Sequence, residues 1–188
     1  MNGLYVLLGL LAVVLLWLLI SYNRFVEQRN VMSNSWANID TELRRRYDLV
    51  PNLVETVQGY AAHERAVLEA VTRARAAAAG TDGPASVQAE AEAPLVRALR
   101  ELFAVVESYP DLKASRSFLA LQDELVHTED RIQAARRFYN ANVRDYNRRV
   151  QSFPSNLVAR LFGFGVGQYF NIDRALEPEA AAPPRVGP

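Results

Sequence analysis

Residues 118–146 read FLALQDELVHTEDRIQAARRFYNANVRDY. Phe118, Leu121, Leu125, Thr128, Ile132, Ala135, Tyr139, Asn142 and Tyr146 recur through them at alternating steps of three and four. At 3.6 residues per turn that ladder is one continuous stripe on a helix, and a stripe of this kind is buried by packing on other helices in coiled-coil fashion. It predicts helix over 111–152. Upstream, Leu95, Leu99, Leu102, Val106 and Tyr109 repeat the same steps and predict helix over 84–108, bent by Pro94. Pro110 disfavours helix at Tyr109 and Asp111 can cap the next helix, so SYPDL at 108–112 is a turn. Leu53, Val57, Ala61, Leu68 and Val71 share a face over 51–79, and TDGP at 81–84 punctuates its end. Met32, Trp36, Ile39, Leu43 and Tyr47 predict helix over 23–47.

Pro51 falls inside this periodic run, where it either kinks a continuous helix or starts a new one at its first turn. A break near 48–51 lets four helices of similar length lie side by side, whereas one rod would leave half its apolar face uncovered. The expected fold is therefore all-α, an N-terminal transmembrane helix followed by an antiparallel four-helix up-and-down bundle.

Ahead of the bundle, residues 4–20 read LYVLLGLLAVVLLWLLI without a charge, and no Lys or Arg precedes Arg24. A helix over 1–22 at ~1.5 Å per residue covers roughly the 30 Å hydrocarbon core of a bilayer. A cleaved signal would carry a basic n-region and a small-x-small site, but 17–25 read WLLISYNRF. The segment is expected to stay as a single-pass anchor, with Tyr5, Trp17 and Tyr22 as interfacial aromatics. Arg24 and Arg29 follow it closely, and positive flanks stay cytoplasmic, so the N-terminus is expected outside and the bundle inside the cell.

What remains of 188 residues is one domain and a tail. Lys plus Arg and Asp plus Glu number 21 each, so no net charge recommends a nucleic-acid partner. The chain has no cysteine, which excludes disulfides and thiolate metal sites.

Longer motifs carry a resemblance. YNRFVEQRNVMSNSWANID, RRRYDLVPNLVETVQGYAAHE, LFAVVESYPDLKASRSFLALQDEL, TEDRIQAARRFYNANVRDYN and FPSNLVARLFGF closely resemble the LemA family of bacterial membrane proteins. The resemblance covers roughly 1–164. It implies a short external N-terminus, one membrane span and a soluble helical bundle, and it supplies no activity and no catalytic residues.

The residues themselves offer little chemistry. Glu124-x-x-His127 puts both side chains on one helical face, as in di-iron carboxylate bundles, but such a site needs a second Glu-x-x-His. His63-Glu64 lacks the later histidine of a zinc-protease motif. Leu125 and Thr128 mark the seam, so Glu124 and His127 are expected to be solvated beside it. No G-x-S-x-G, phosphate loop or dinucleotide fingerprint is present. No catalytic residue, metal or cofactor is expected; Thr128 and Asn142 in the seam read as register-fixing polar groups.

The four-helix topology creates two surfaces. Its far tip would bring Arg44, Arg45, Arg46, Tyr47 and Asp48 beside Tyr109, Asp111 and Lys113, a candidate partner-binding site. Its near end would collect Arg24, Arg29, Arg73, Arg75, Arg144, Arg148, Arg149 and Arg160 as a basic collar facing anionic lipid. The apolar segment 153–170, with Leu161, Phe162 and Phe164, is too short and Gly-broken to span, and is expected either on the membrane surface or capping the bundle. Residues 171–188, rich in Ala and Pro, are expected to be disordered.

The function expected from the sequence is a non-enzymatic membrane-tethered scaffold or adaptor. Its partners would be the lipid bilayer and an unidentified membrane or cytoplasmic protein, with a homo-oligomer possible. The alternatives are a self-assembling membrane-shaping protein and, with little support, a metal-dependent enzyme.

Overall fold

The computed structural model describes residues 2–172, so the tail expected over 171–188 lies outside the described residues except for Asn171 and Ile172. The described residues form helices and turns with no strand: α1 Asn2–Gln58, α2 Arg65–Ala79, α3 Ala85–Val106, α4 Pro110–Lys113, α5 Arg116–Gln151 and α6 Ser155–Phe162. The all-α class and the long apolar N-terminal helix are both present.

The break expected near 48–51 does not form. α1 runs for 57 residues, about 85 Å at the helical rise, with Pro51 inside it. Its buried face, Ile39, Leu43, Arg46, Tyr47, Val50, Leu53 and Val57, keeps one helical phase through the proline, and the proline itself is exposed. Burial on that face outweighs the loss of one hydrogen bond, so the helix continues. The chain turns instead over 59–64, where the amide N–H groups of Gly59 and Ala61 donate to the carbonyls of Glu55 and Val57.

This displacement changes the heights of everything after it. α2 has only 15 residues and ends beside Asp40, Arg44 and Tyr47, where Gln88 from the start of α3 donates to the Tyr47 hydroxyl and the Ala78 carbonyl. The loop joining α2 to α3 therefore sits partway along α1 and not at the bilayer end. Above it α1, α2, α3 and the first half of α5 enclose one core that includes Leu53, Leu68, Leu102 and Phe118.

Below it α1 and α5 run antiparallel, with Trp36 on Tyr139 and Phe25 on Tyr146. Two helices alone would leave an open seam there. The C-terminal segment closes it: α6 packs at the foot, Gly163 turns the chain in the left-handed conformation (φ 71°) that glycine adopts without strain, and 164–172 run back up the groove. Phe164, Phe170 and Ile172 are buried in this strap. The membrane-surface reading is thus corrected for Phe164, and the tail expected from 171 is corrected at Ile172, which is packed into the seam.

Candidate functional site

The helix seam is polar where the four segments first meet. Arg46 on α1 and Glu92 on α3 form a fully buried ion pair, and a second guanidinium nitrogen of Arg46, Nη1, donates to Glu129 Oε2 on α5 at 2.9 Å. The Tyr47 hydroxyl donates to Glu92, and Gln88 Nε2 lies 3.1 Å from Glu92 Oε1. Burial, reinforced by the Glu92 carboxylate, pushes the Tyr47 hydroxyl far above the ordinary tyrosine range and keeps it neutral. This network ties α1, α3 and α5 into one register; Arg46 Nε is buried within it without a hydrogen-bond partner among the described residues, and Glu129 is its partly exposed member.

The expected tip site is therefore divided. Arg46 and Tyr47 are interior; Arg44 pairs with Asp40 at 2.8 Å on the surface, Arg45 pairs with Glu124, and Asp48 is exposed partway along α1. Tyr109, Asp111 and Lys113 do lie at the distal end, but their neighbours are Glu64, which accepts from the Tyr109 hydroxyl at 3.1 Å, and Glu107, which pairs with Lys113. The continuous α1 is the cause, because the turn beside Tyr109 is made by 59–64 and not by 48–51. The collar is divided too. Arg73 and Arg75 belong to α2 above the loop at 80–84, and Arg75 donates to the Tyr47 carbonyl, whereas Arg24, Arg29, Arg144, Arg148, Arg149 and Arg160 lie on α1, α5 and α6 toward the end of the apolar run.

Glu124 and His127 do not converge on one centre. Glu124 holds Arg45 and Arg131, His127 lies 3.6 Å from Asp123 with both side chains exposed, and no group of three potential metal ligands occurs among the described residues. Thr128 is buried with its hydroxyl on the Glu124 carbonyl, and Asn142 donates to Ser35 Oγ at 2.7 Å, which links α5 to α1.

The residues that sequence reasoning missed are Glu92, Gln88, Asn140 and Asn147. The last two stand seven apart on α5 and clamp the strap from one side. Asn147 accepts from the Gly167 N–H at 2.7 Å and donates to its carbonyl at 2.9 Å; Asn140 does the same to Phe170 at 3.0 and 2.9 Å. Between them the Tyr139 hydroxyl donates to the Gln168 carbonyl. Extended backbone that no sheet satisfies is here satisfied by two side-chain amides.

The foot of the molecule carries a surface that the fold does not consume. α6 buries Val158 and Ala159 and packs against the end of the apolar run, where Phe162 meets Tyr22 ring to ring at 4.9 Å and Pro154 and Ser155 approach Trp17, Ile20 and Ser21. Its outer face leaves Leu157 and Leu161 exposed by 53% and 68%, and Phe153 in the turn before it is exposed by 79%.

The LemA family profile matches residues 35–186 of the chain. Magnetosome protein MamQ 2 of Paramagnetospirillum magneticum is 29% identical over 178 residues, covering 81% of this chain and 65% of its own length. Magnetosome protein MamQ of Magnetospirillum gryphiswaldense is 27% identical over 179 residues, and Protein LemA of Metamycoplasma hominis is 26% identical over 155, covering 81% of this chain and 71% of its own. The chain thus spans about two thirds of the length of the magnetosome relatives it matches.

Proposed function

We propose, from the premise that the chain belongs to the LemA family, that it is a membrane-tethered helical scaffold that acts by binding, with no chemistry of its own. The observation that carries this reading is the continuity of α1. The uncovered apolar residues 4–17 and the buried face that begins at Ser21 belong to one helix, so no flexible linker separates the anchor from the body. A body held this way keeps a fixed height over the bilayer, which suits a platform for other proteins. The basic flank at Arg24 and Arg29 supports a cytoplasmic body with the N-terminus outside.

The tether is tested by alkaline carbonate extraction, in which the protein should remain with the membrane. Orientation is tested with an impermeant thiol reagent on intact cells, because the chain has no cysteine of its own. Asn2→Cys should be labelled and Asp111→Cys should not; the reverse pattern overturns the cytoplasmic assignment. Cross-linking in intact membranes then tests the binding role. A discrete adduct with a second protein supports the adaptor, a ladder of copies supports self-assembly, and a protein that stays uncross-linked contradicts both.

A further inference from the structure

We propose that α6 is a second membrane contact, a foot whose Leu157 and Leu161, with Phe153 in the turn before them, insert into the headgroup boundary of an anionic leaflet. It rests on the tether proposed above.

Three observations meet at this place. Leu157 and Leu161 are four apart on α6 and share its outer face, and with Phe153 in the turn before the helix they are among the most exposed apolar residues outside the span. Second, the helix that carries the two leucines is fixed at bilayer height: Leu18 joins the cluster formed by Phe25, Tyr146, Val158, Ala159 and Phe164, and Ser21 is buried beneath α6. Residues 18–22 end the apolar run, so the outer face of α6 lies level with its last turn, where the hydrocarbon gives way to headgroups.

Charge supplies the third observation. Arg24, Arg148, Arg149 and Arg160 surround the foot, while the acids nearest in sequence are Glu27 and Asp145, and Asp145 lies 3.8 Å from Arg144. Arg149 and Arg29 also lie over the rings of Phe25 and Phe164, at 5.8 to 5.9 Å, which holds guanidinium groups at the edge of the apolar layer. Arginines placed there match lipid phosphates, and their side chains reach from an apolar base to a polar head. A second anchoring point beside a single span removes the freedom of that span to rotate and tilt, so the foot sets the orientation of the body.

The test uses the full chain in vesicles of phosphatidylcholine mixed with phosphatidylglycerol, with nitroxides on single cysteines at Leu8, Leu157, Leu161 and Leu119. Collisions with oxygen and with a water-soluble nickel chelate report depth. Labels at Leu157 and Leu161 should favour oxygen, as Leu8 does in the span, and Leu119 should favour the chelate. Replacing Arg148, Arg149 and Arg160 with Glu should move the Leu161 label toward water. Chelate access at Leu157 and Leu161 with Leu8 still in lipid overturns the foot alone, whereas chelate access at Leu8 overturns the tether as well. Labels shielded from both reagents mark contact with another copy and overturn the foot, and a Leu161 label unmoved by the Glu substitutions overturns the part assigned to the arginines.

Discussion

Arg75 of α2 donates its Nε–H to the main-chain carbonyl of Tyr47 at 3.0 Å, and that carbonyl is the one Pro51 leaves without its helical donor. The amide N–H of residue 51 would serve residue 47, and proline has none. α2 thus supplies from outside the bond that α1 lacks, which couples the continuity of the long helix to the docking of the short one. Arg75→Met should destabilise the folded full chain in detergent by about 1 to 3 kcal/mol, as loss of a charged donor to a half-buried carbonyl does. In a Pro51→Ala background, where an N–H is restored, the same substitution should cost clearly less. Equal costs in urea titrations of the two backgrounds would show that the bond does not repair the helix.

The buried junction should be costly to break from one side. Glu92→Ala leaves the Arg46 guanidinium buried with only Glu129, and should destabilise the chain by about 3 to 5 kcal/mol. Glu124→Ala, at the exposed pairs with Arg45 and Arg131, should cost about 1 kcal/mol or less. Comparable losses for the two would contradict the placement of α5.

Tyr47 adds a pH dependence. Its folded-state pKa is raised, so the unfolded chain gives up this proton first as the pH climbs, and the stability present below the ordinary value of about 10 is lost above it. Tyr109, raised by its bond to Glu64, and Tyr139 and Tyr146, raised by burial, act in the same direction. Thermal melts should fall between about pH 9 and 11, and Tyr47→Phe, which also forfeits its hydrogen bonds at neutral pH, should make that fall shallower. A fall as steep as that of the parent chain would show that Tyr47 takes no part in it.

The asparagine clamps should be local. Asn147→Ala and Asn140→Ala each remove two bonds to the strap, and hydrogen exchange at the Gly167 and Phe170 amides should accelerate while the amides of α3 keep their protection. Acceleration throughout the chain would mean that the strap is part of the main cooperative unit.

The sequence made the seam of α5 legible because its periodicity is long: Phe118, Leu125, Thr128, Ile132, Tyr139 and Tyr146 are all buried. Pro51 misled because a proline is a strong local signal, while the unbroken phase of Leu43, Tyr47, Val50, Leu53 and Val57 across it spoke against a break. Glu92 and Gln88 were readable too. They continue the steps of Leu95, Leu99 and Leu102 backwards along α3, but a seam sought among apolar residues stops at the first charge. The strap had no periodic signature, since an extended segment pinned by Asn140 and Asn147 owes its place to partners distant in the chain. The site residues went astray for one reason, since moving a single turn from 48–51 to 59–64 resets the height of every residue between Arg44 and Arg75.

The continuity of α1 from the bilayer into the body is therefore the claim on which the rest depends. It is measured by the electron-spin distance between nitroxides on Asn30→Cys and Gln58→Cys in the vesicle-bound full chain, both positions being exposed and the chain free of other cysteines. An unbroken helix predicts a single narrow distribution near about 42 Å; a chain that turned at 48–51 would bring the two labels to about 20 Å and contradict the account.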